Sequence, residues 1–148
     1  MRQAERILQR EVMARLRHAP LAAIIVPSPN GIFIPARTPA EQTLARRVVH
    51  QLKLDGQLLP GAPDLLFLWS HGSGAIELKR PAEKTLLGKQ RAGQLSDDQM
   101  AFRKRCDALS VNYAVCQSWD EVRETLKAWG RLPATYQDAD RRIGRAAA

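Results

Sequence analysis

Two short apolar runs, Asp64 to Trp69 and Ala75 to Lys79, are separated by Ser70-His71-Gly72-Ser73-Gly74. Each is too short for a helix and is bounded by turn residues, so together they predict two antiparallel strands. Leu65 to Trp69 is apolar at every position, which puts it in the middle of a sheet rather than at an edge. The rest of the chain must supply the cover.

Helical periodicity provides it. From Ala4 to about Arg17, Leu8, Val12 and Leu16 form one stripe at 100° per residue, and Pro20 ends the segment. Glu5 falls inside that stripe, with Glu11 towards its edge. Thr38-Pro39-Ala40-Glu41 is a strong helix start: an N-cap, a proline at the first position and a glutamate to complete a capping box. Leu44, Val48 and Leu52 supply that helix's apolar face, and Gly56 stops it. Ser96-Asp97-Asp98-Gln99 repeats the capping pattern before Phe102, Cys106 and Leu109. Ser118 to Glu121 opens a last helix carrying Val122, Leu126 and Trp129. Val111 to Cys116 reads as a strand. Leu21 to Val26 and Ile32 to Ile34 flank Pro27-Ser28-Pro29-Asn30-Gly31 and suggest a hairpin that its prolines confine to an edge. Arg80 to Gln94 is polar and basic and reads as a long loop. The expected fold class is α/β, a small mixed sheet flanked by helices.

The chain has 148 residues, enough for one core, which we place at 1–130, with a basic tail at 131–148 that is expected to fray. With 23 Lys+Arg against 15 Asp+Glu the formal charge is +8, a balance that favours polyanionic partners, nucleic acid above all. No run reaches the ~18 apolar residues of a membrane span, and Met1 to Arg6 lacks the pattern of a secretion signal. Cys106 and Cys116 are too few for a disulfide framework. These features predict a cytoplasmic protein with reduced thiols and no membrane partner.

The chemistry concentrates at Asp64, Glu77 and Lys79. Strand side chains alternate, so Glu77 and Lys79 share a face while Leu78 points away. Asp64 opens the neighbouring strand and can reach Glu77. Two carboxylates about 4 Å apart repel by roughly 4 kcal/mol at an effective dielectric of 20. A divalent cation converts that repulsion into binding, and hard oxygen ligands suit Mg²⁺ or Mn²⁺. The plainer alternatives are an ion pair across a strand face for Glu77 and Lys79, and a turn cap for Asp64.

Three segments carry a family resemblance: Gly61-Ala62-Pro63-Asp64-Leu65-Leu66, Ile76-Glu77-Leu78-Lys79-Arg80-Pro81 and Leu95-Ser96-Asp97-Asp98-Gln99. In that order they resemble the VRR-NUC (virus-type replication-repair nuclease) domain of the PD-(D/E)xK superfamily. Glu5 followed by Gln9 matches the glutamate and glutamine of that family's first helix. The resemblance runs from Glu5 to about Trp129. It implies a restriction-endonuclease-like core and a Mg²⁺- or Mn²⁺-dependent DNA endonuclease, with no small-molecule cofactor. Asp64, Glu77, Glu5 and the Leu78 carbonyl would surround the metal, Lys79 would be the catalytic lysine and Gln99 a helper facing the site. It further implies a phage or bacterial protein of minimal, homodimeric type acting on branched DNA such as four-way junctions or flaps. Two departures stand out: the Ala82 to Gln94 connection is longer than the family's short one, and Gly31 to Gly56 is expanded.

Some residues have two readings at this level. Glu5 is either a ligand or an acidic residue favoured by the helix dipole, and Glu11 competes for its place. Gln99 is explained equally by the capping box. Arg80, Lys84, Lys89 and Arg91 are expected to contact phosphates, or to be a solvated loop. The tryptophans read as packing anchors. A basic DNA-binding module that retains the fold without cutting is the alternative function.

Overall fold

The structure, a computed structural model, describes residues 3–28, 38–56, 59–85, 88–90 and 93–138. Its elements in chain order are α1 (Gln3–Leu16), β1 (Ile24–Pro27), α2 (Pro39–Leu54), β2 (Leu65–Trp69), β3 (Gly72–Leu78), β4 (Glu83–Thr85), β5 (Gly88–Gln90), α3 (Asp97–Ala108), β6 (Asn112–Cys116) and α4 (Trp119–Ala128). The chain is α/β, with a four-stranded mixed sheet of order β1-β2-β3-β6 flanked by helices.

The two apolar runs pair as their length and boundaries require, antiparallel, from Leu65 opposite Ile76 to Trp69 opposite Gly72. On the other side of β3, β6 runs parallel, with Glu77 opposite Val115 and Leu78 opposite Cys116. A parallel pair needs a long crossover, and α3 lies within it. β1 is one of the two edge strands, antiparallel to β2 and ending at Pro27, which has no N–H to offer a further strand. The Ile32 to Ile34 partner expected for it lies outside the described residues.

Alternation divides the sheet into two unlike faces. Leu65, Phe67, Ile76, Leu78 and Cys116 point to the core, where Leu8, Val12 and Leu16 of α1 meet Trp119, Val122 and Leu126 of α4. Leu8, Val12, Leu16, Val122 and Leu126 are among the positions expected from the periodicity; Trp119 joins them, while Trp129 is the C-cap of α4 and only partly buried. Trp69 and Trp129 add a ring contact at 6.3 Å between centroids. The opposite face carries Ala75, Glu77 and Tyr113, and α3 packs against its β6 side.

Several expectations need correction. The polar stretch after Arg80 contains β4 and β5, paired antiparallel as a separate two-stranded sheet. Three-residue strands are too short to leave a period in the sequence, which is why the segment read as loop. Leu109, expected inside α3, is the C-cap residue and is 75% exposed. The capping box of Thr38 and Glu41 is formed, yet no residue of α2 is buried, and Leu44 is 62% exposed. Amphipathic spacing announces a helix without saying what meets its apolar face. His71 lies in the β2–β3 turn, at the end of the hairpin away from Asp64 and Glu77.

Packing continues beyond residue 130. Leu132 is buried in the core, and Asp138 Oδ2 accepts from Trp119 Nε1 at 2.7 Å and pairs with Arg15 at 3.2 Å. Residues 139–148 lie outside the described residues. Among the described residues no helix is long and apolar enough to cross a membrane.

Candidate active site

The turn before β2 sets the first acid. Gly61 has φ +74, a conformation that L side chains rarely adopt, and is followed by Pro63 and Asp64. Asp64 is 5% exposed, and its Oδ2 accepts from the backbone N–H of Leu78 at 2.8 Å. Its own carbonyl accepts from Ser28 N at 2.9 Å, tying the end of β1 to the same point. A buried carboxylate held by a backbone donor one strand away is fixed in direction, and this one lies beside the start of Glu77-Leu78-Lys79. Burial pushes the Asp64 carboxyl up from its ordinary value; the Leu78 N–H and Lys79 oppose that rise, and Glu5 adds to it.

Glu77 is 2% exposed. Its Oε1 pairs with Lys79 Nζ at 2.9 Å and also accepts from Gln99 Nε2. Its Oε2 is buried with no hydrogen-bond partner among the described residues. Burial and then the Asp64 charge raise its pKa to about 7, with Lys79 pulling it down and Glu5 pushing it further up. Lys79 is itself buried, at 8% exposure. Its main-chain N–H donates to Cys116 O at 2.9 Å, so β6 fixes the backbone from which the ammonium extends. Gly93 lets the chain pass close to the lysine stem: an added Cβ would lie 3.2 Å from Lys79 Cδ.

Gln99 resolves into both of its readings at once. Its Oε1 accepts from Ser96 N at 2.9 Å, closing the capping box, and from Lys79 Nζ at 2.9 Å. Its Nε2 donates to Glu77. The first turn of α3 therefore holds the ammonium and the carboxylate together. Gly61 admits that turn, since a Cβ there would lie 2.2 Å from the Asp98 carbonyl oxygen.

Glu5 of α1 is half-buried, and its charge acts on both Asp64 and Glu77. Glu11 points elsewhere, pairing with Arg15 at 3.1 Å. Of the two candidates, Glu5 is the one whose charge reaches Asp64 and Glu77. Arg80 is half-buried and follows Lys79 directly. Lys84 and Lys89 are register partners across β4 and β5, and Arg91 lies outside the described residues.

Asp64, Glu77 and Lys79 are all buried, and Glu5 adds a further negative charge that acts on both carboxyls. Among the described residues no three His, Cys, Asp or Glu side chains form a ready-made metal-binding group. The donor set nevertheless fits a hard divalent cation: a carboxylate just before β2, another on the adjacent strand β3, a third charge within reach and, among the described residues, a buried carboxylate oxygen without a partner.

Sequence reasoning missed Tyr113 and Gly93. Tyr113 shares the Glu77 face of the sheet, on β6, and its hydroxyl is buried without a partner among the described residues. The alternation of Val111 to Cys116 contained that facing, but only the parallel register with β3 reveals which residue stands near Glu77.

No family model, curated protein or solved structure matches this chain.

Proposed function

We propose that this chain is a Mg²⁺- or Mn²⁺-dependent DNA endonuclease with a VRR-NUC-like, restriction-endonuclease-like core. The observation that carries the reading is the state of Glu77: one oxygen is held by Lys79 and Gln99, the other is buried and unpartnered among the described residues, and Asp64 stands just before the next strand. Such an arrangement is costly as mere packing and useful as a cation site. Asp64 and Glu77 would hold the ion, with the Leu78 carbonyl and Glu5 completing its protein ligands. A divalent cation supplies charge stabilisation at the scissile phosphate and a lower pKa for the attacking water.

The chain's own groups do the rest. Lys79, steered by Gln99, offsets the negative charge that grows as water displaces the bridging oxygen in line. The excess of eight positive charges draws the phosphate backbone in, and Arg80, Lys84, Lys89 and Arg91 are the phosphate contacts of this reading. The substrate is structured or branched DNA, met by a homodimer, because one centre cuts one strand and a junction needs two cuts.

The test mixes the protein with four-way, flap, single-stranded and linear duplex DNA in Mg²⁺, Mn²⁺ or EDTA. Metal-dependent products that fall at least about 100-fold in a folded Lys79→Ala variant are expected. No cleavage of any DNA, with tight binding unchanged in EDTA, would instead make the chain a non-catalytic DNA-binding module.

A further inference from the structure

Among the described residues, the buried side-chain polar atoms left without a hydrogen-bond partner are Glu77 Oε2 and Tyr113 OH. One is an acceptor and the other carries a donor. They belong to adjacent parallel strands: Ala75 is opposite Tyr113 and Glu77 opposite Val115, so Tyr113 and Glu77 are diagonal neighbours on one face. Strand geometry puts their Cα atoms about 8 Å apart, a span that a tyrosine and a glutamate reaching towards each other can close to a water's width. The Glu77 charge is felt at the phenol, whose pKa is raised first by burial and next by Glu77. Buried polar atoms in native proteins are paired with protein or with ordered water, and a complementary orphan pair on one face is most simply satisfied together.

We propose that Tyr113 is a positioning residue for Glu77: its hydroxyl donates, through one shared water, to Glu77 Oε2 and holds that carboxylate turned towards the cation. This rests on the cation reading given above. Lys79 and Gln99 fix one oxygen of Glu77, and without a second point of support the carboxylate is free to swing about that attachment. A phenol on the neighbouring strand is a rigid donor with little rotamer freedom to lose. Outer donors of this kind typically matter by 10- to 100-fold in metal affinity.

The experiment measures Mn²⁺ binding directly, from the electron paramagnetic resonance signal of the free ion, for the wild type, Tyr113→Phe and Glu77→Gln. Metal-free melting temperatures are recorded alongside. Tyr113→Phe is expected to weaken Mn²⁺ binding about tenfold or more while its metal-free melting temperature is not lowered, because the variant removes a hydroxyl without a protein partner. Wild-type affinity in Tyr113→Phe would overturn the assignment. So would a fall in metal-free stability in step with affinity, since the hydroxyl would then serve the fold. Absence of Mn²⁺ binding to the folded wild type would remove the cation reading and this assignment with it. Binding lost in Glu77→Gln but unchanged in Tyr113→Phe would remove the assignment alone.

Discussion

The Asp98 carbonyl oxygen lies 2.2 Å from where a Cβ on Gly61 would stand. The loop that delivers Asp64 and the first turn of α3 that delivers Gln99 thus meet at a place with no room for a side chain. Gly61→Ala is expected to destabilise the fold by about 2 kcal/mol or more, through the clash and the positive φ together. Urea denaturation measures the loss. Any cleavage activity is expected to fall further than the folded fraction does, because the two halves of the site are pushed apart.

Glu77 makes the metal-free protein sensitive to pH. Its carboxyl titrates near 7 in the fold against an ordinary 4.5. Between those values the folded state keeps a proton that the unfolded state has released, so stability falls as pH rises through that window. Asp64, also raised, acts with the same sign. In EDTA the loss between pH 5 and pH 8 is expected to be on the order of 2–3 kcal/mol. Glu77→Gln should flatten the slope, and Mn²⁺ should oppose it in the wild type. Denaturant unfolding at the two pH values checks all three arms.

Gln99 can be split into its two duties by Gln99→Glu. The new carboxylate still accepts from Ser96 N and from Lys79, and it remains a good capping-box residue. It loses the amide donor to Glu77 and adds a like charge beside it. The unfolding free energy, from urea denaturation, is expected to be near wild type at pH 5, where Glu77 is protonated, and lowered by about 1–3 kcal/mol at pH 8. A uniform loss at both pH values would mean that the amide serves the helix alone.

The segment after Gly130 contributes to the core. Leu132→Ala is expected to cost about 2–4 kcal/mol as a cavity among Leu126 and its neighbours. Asp138→Ala strands the Trp119 indole N–H and should cost about 1–3 kcal/mol. Calorimetry on the two single variants tests both values.

How much of this was legible depended on whether the cause was local. Thr38, Ser96 and Ser118 announced three helix starts because a cap is a contact between a side chain and a backbone three residues away. The stripe of Leu8, Val12 and Leu16 was visible for the same reason. Asp64, Glu77 and Lys79 could be named together, since a proline turn and alternation along one strand suffice to gather them. What escaped depended on distant partners. The pairing of β6 with β3, which brings Tyr113 towards Glu77, joins residues nearly 40 positions apart. Gly93 meets Lys79 by a close approach that its surrounding sequence does not encode. α2 formed as its capping box and spacing announced, but none of its residues is buried, and periodicity carries no information about what meets an apolar stripe.

The double attachment of Gln99 has a kinetic consequence. A helix end normally frays independently of what lies beyond it, yet here the amide that closes the first turn of α3 also grips Lys79 and Glu77. Fraying of that turn costs the Gln99 contacts to both charges, while Lys79 and Glu77 stay paired with each other. The backbone amides of Gln99 and Met100, each bonded back to Ser96, accordingly exchange their hydrogens with solvent on a clock set by the carboxylate on β3.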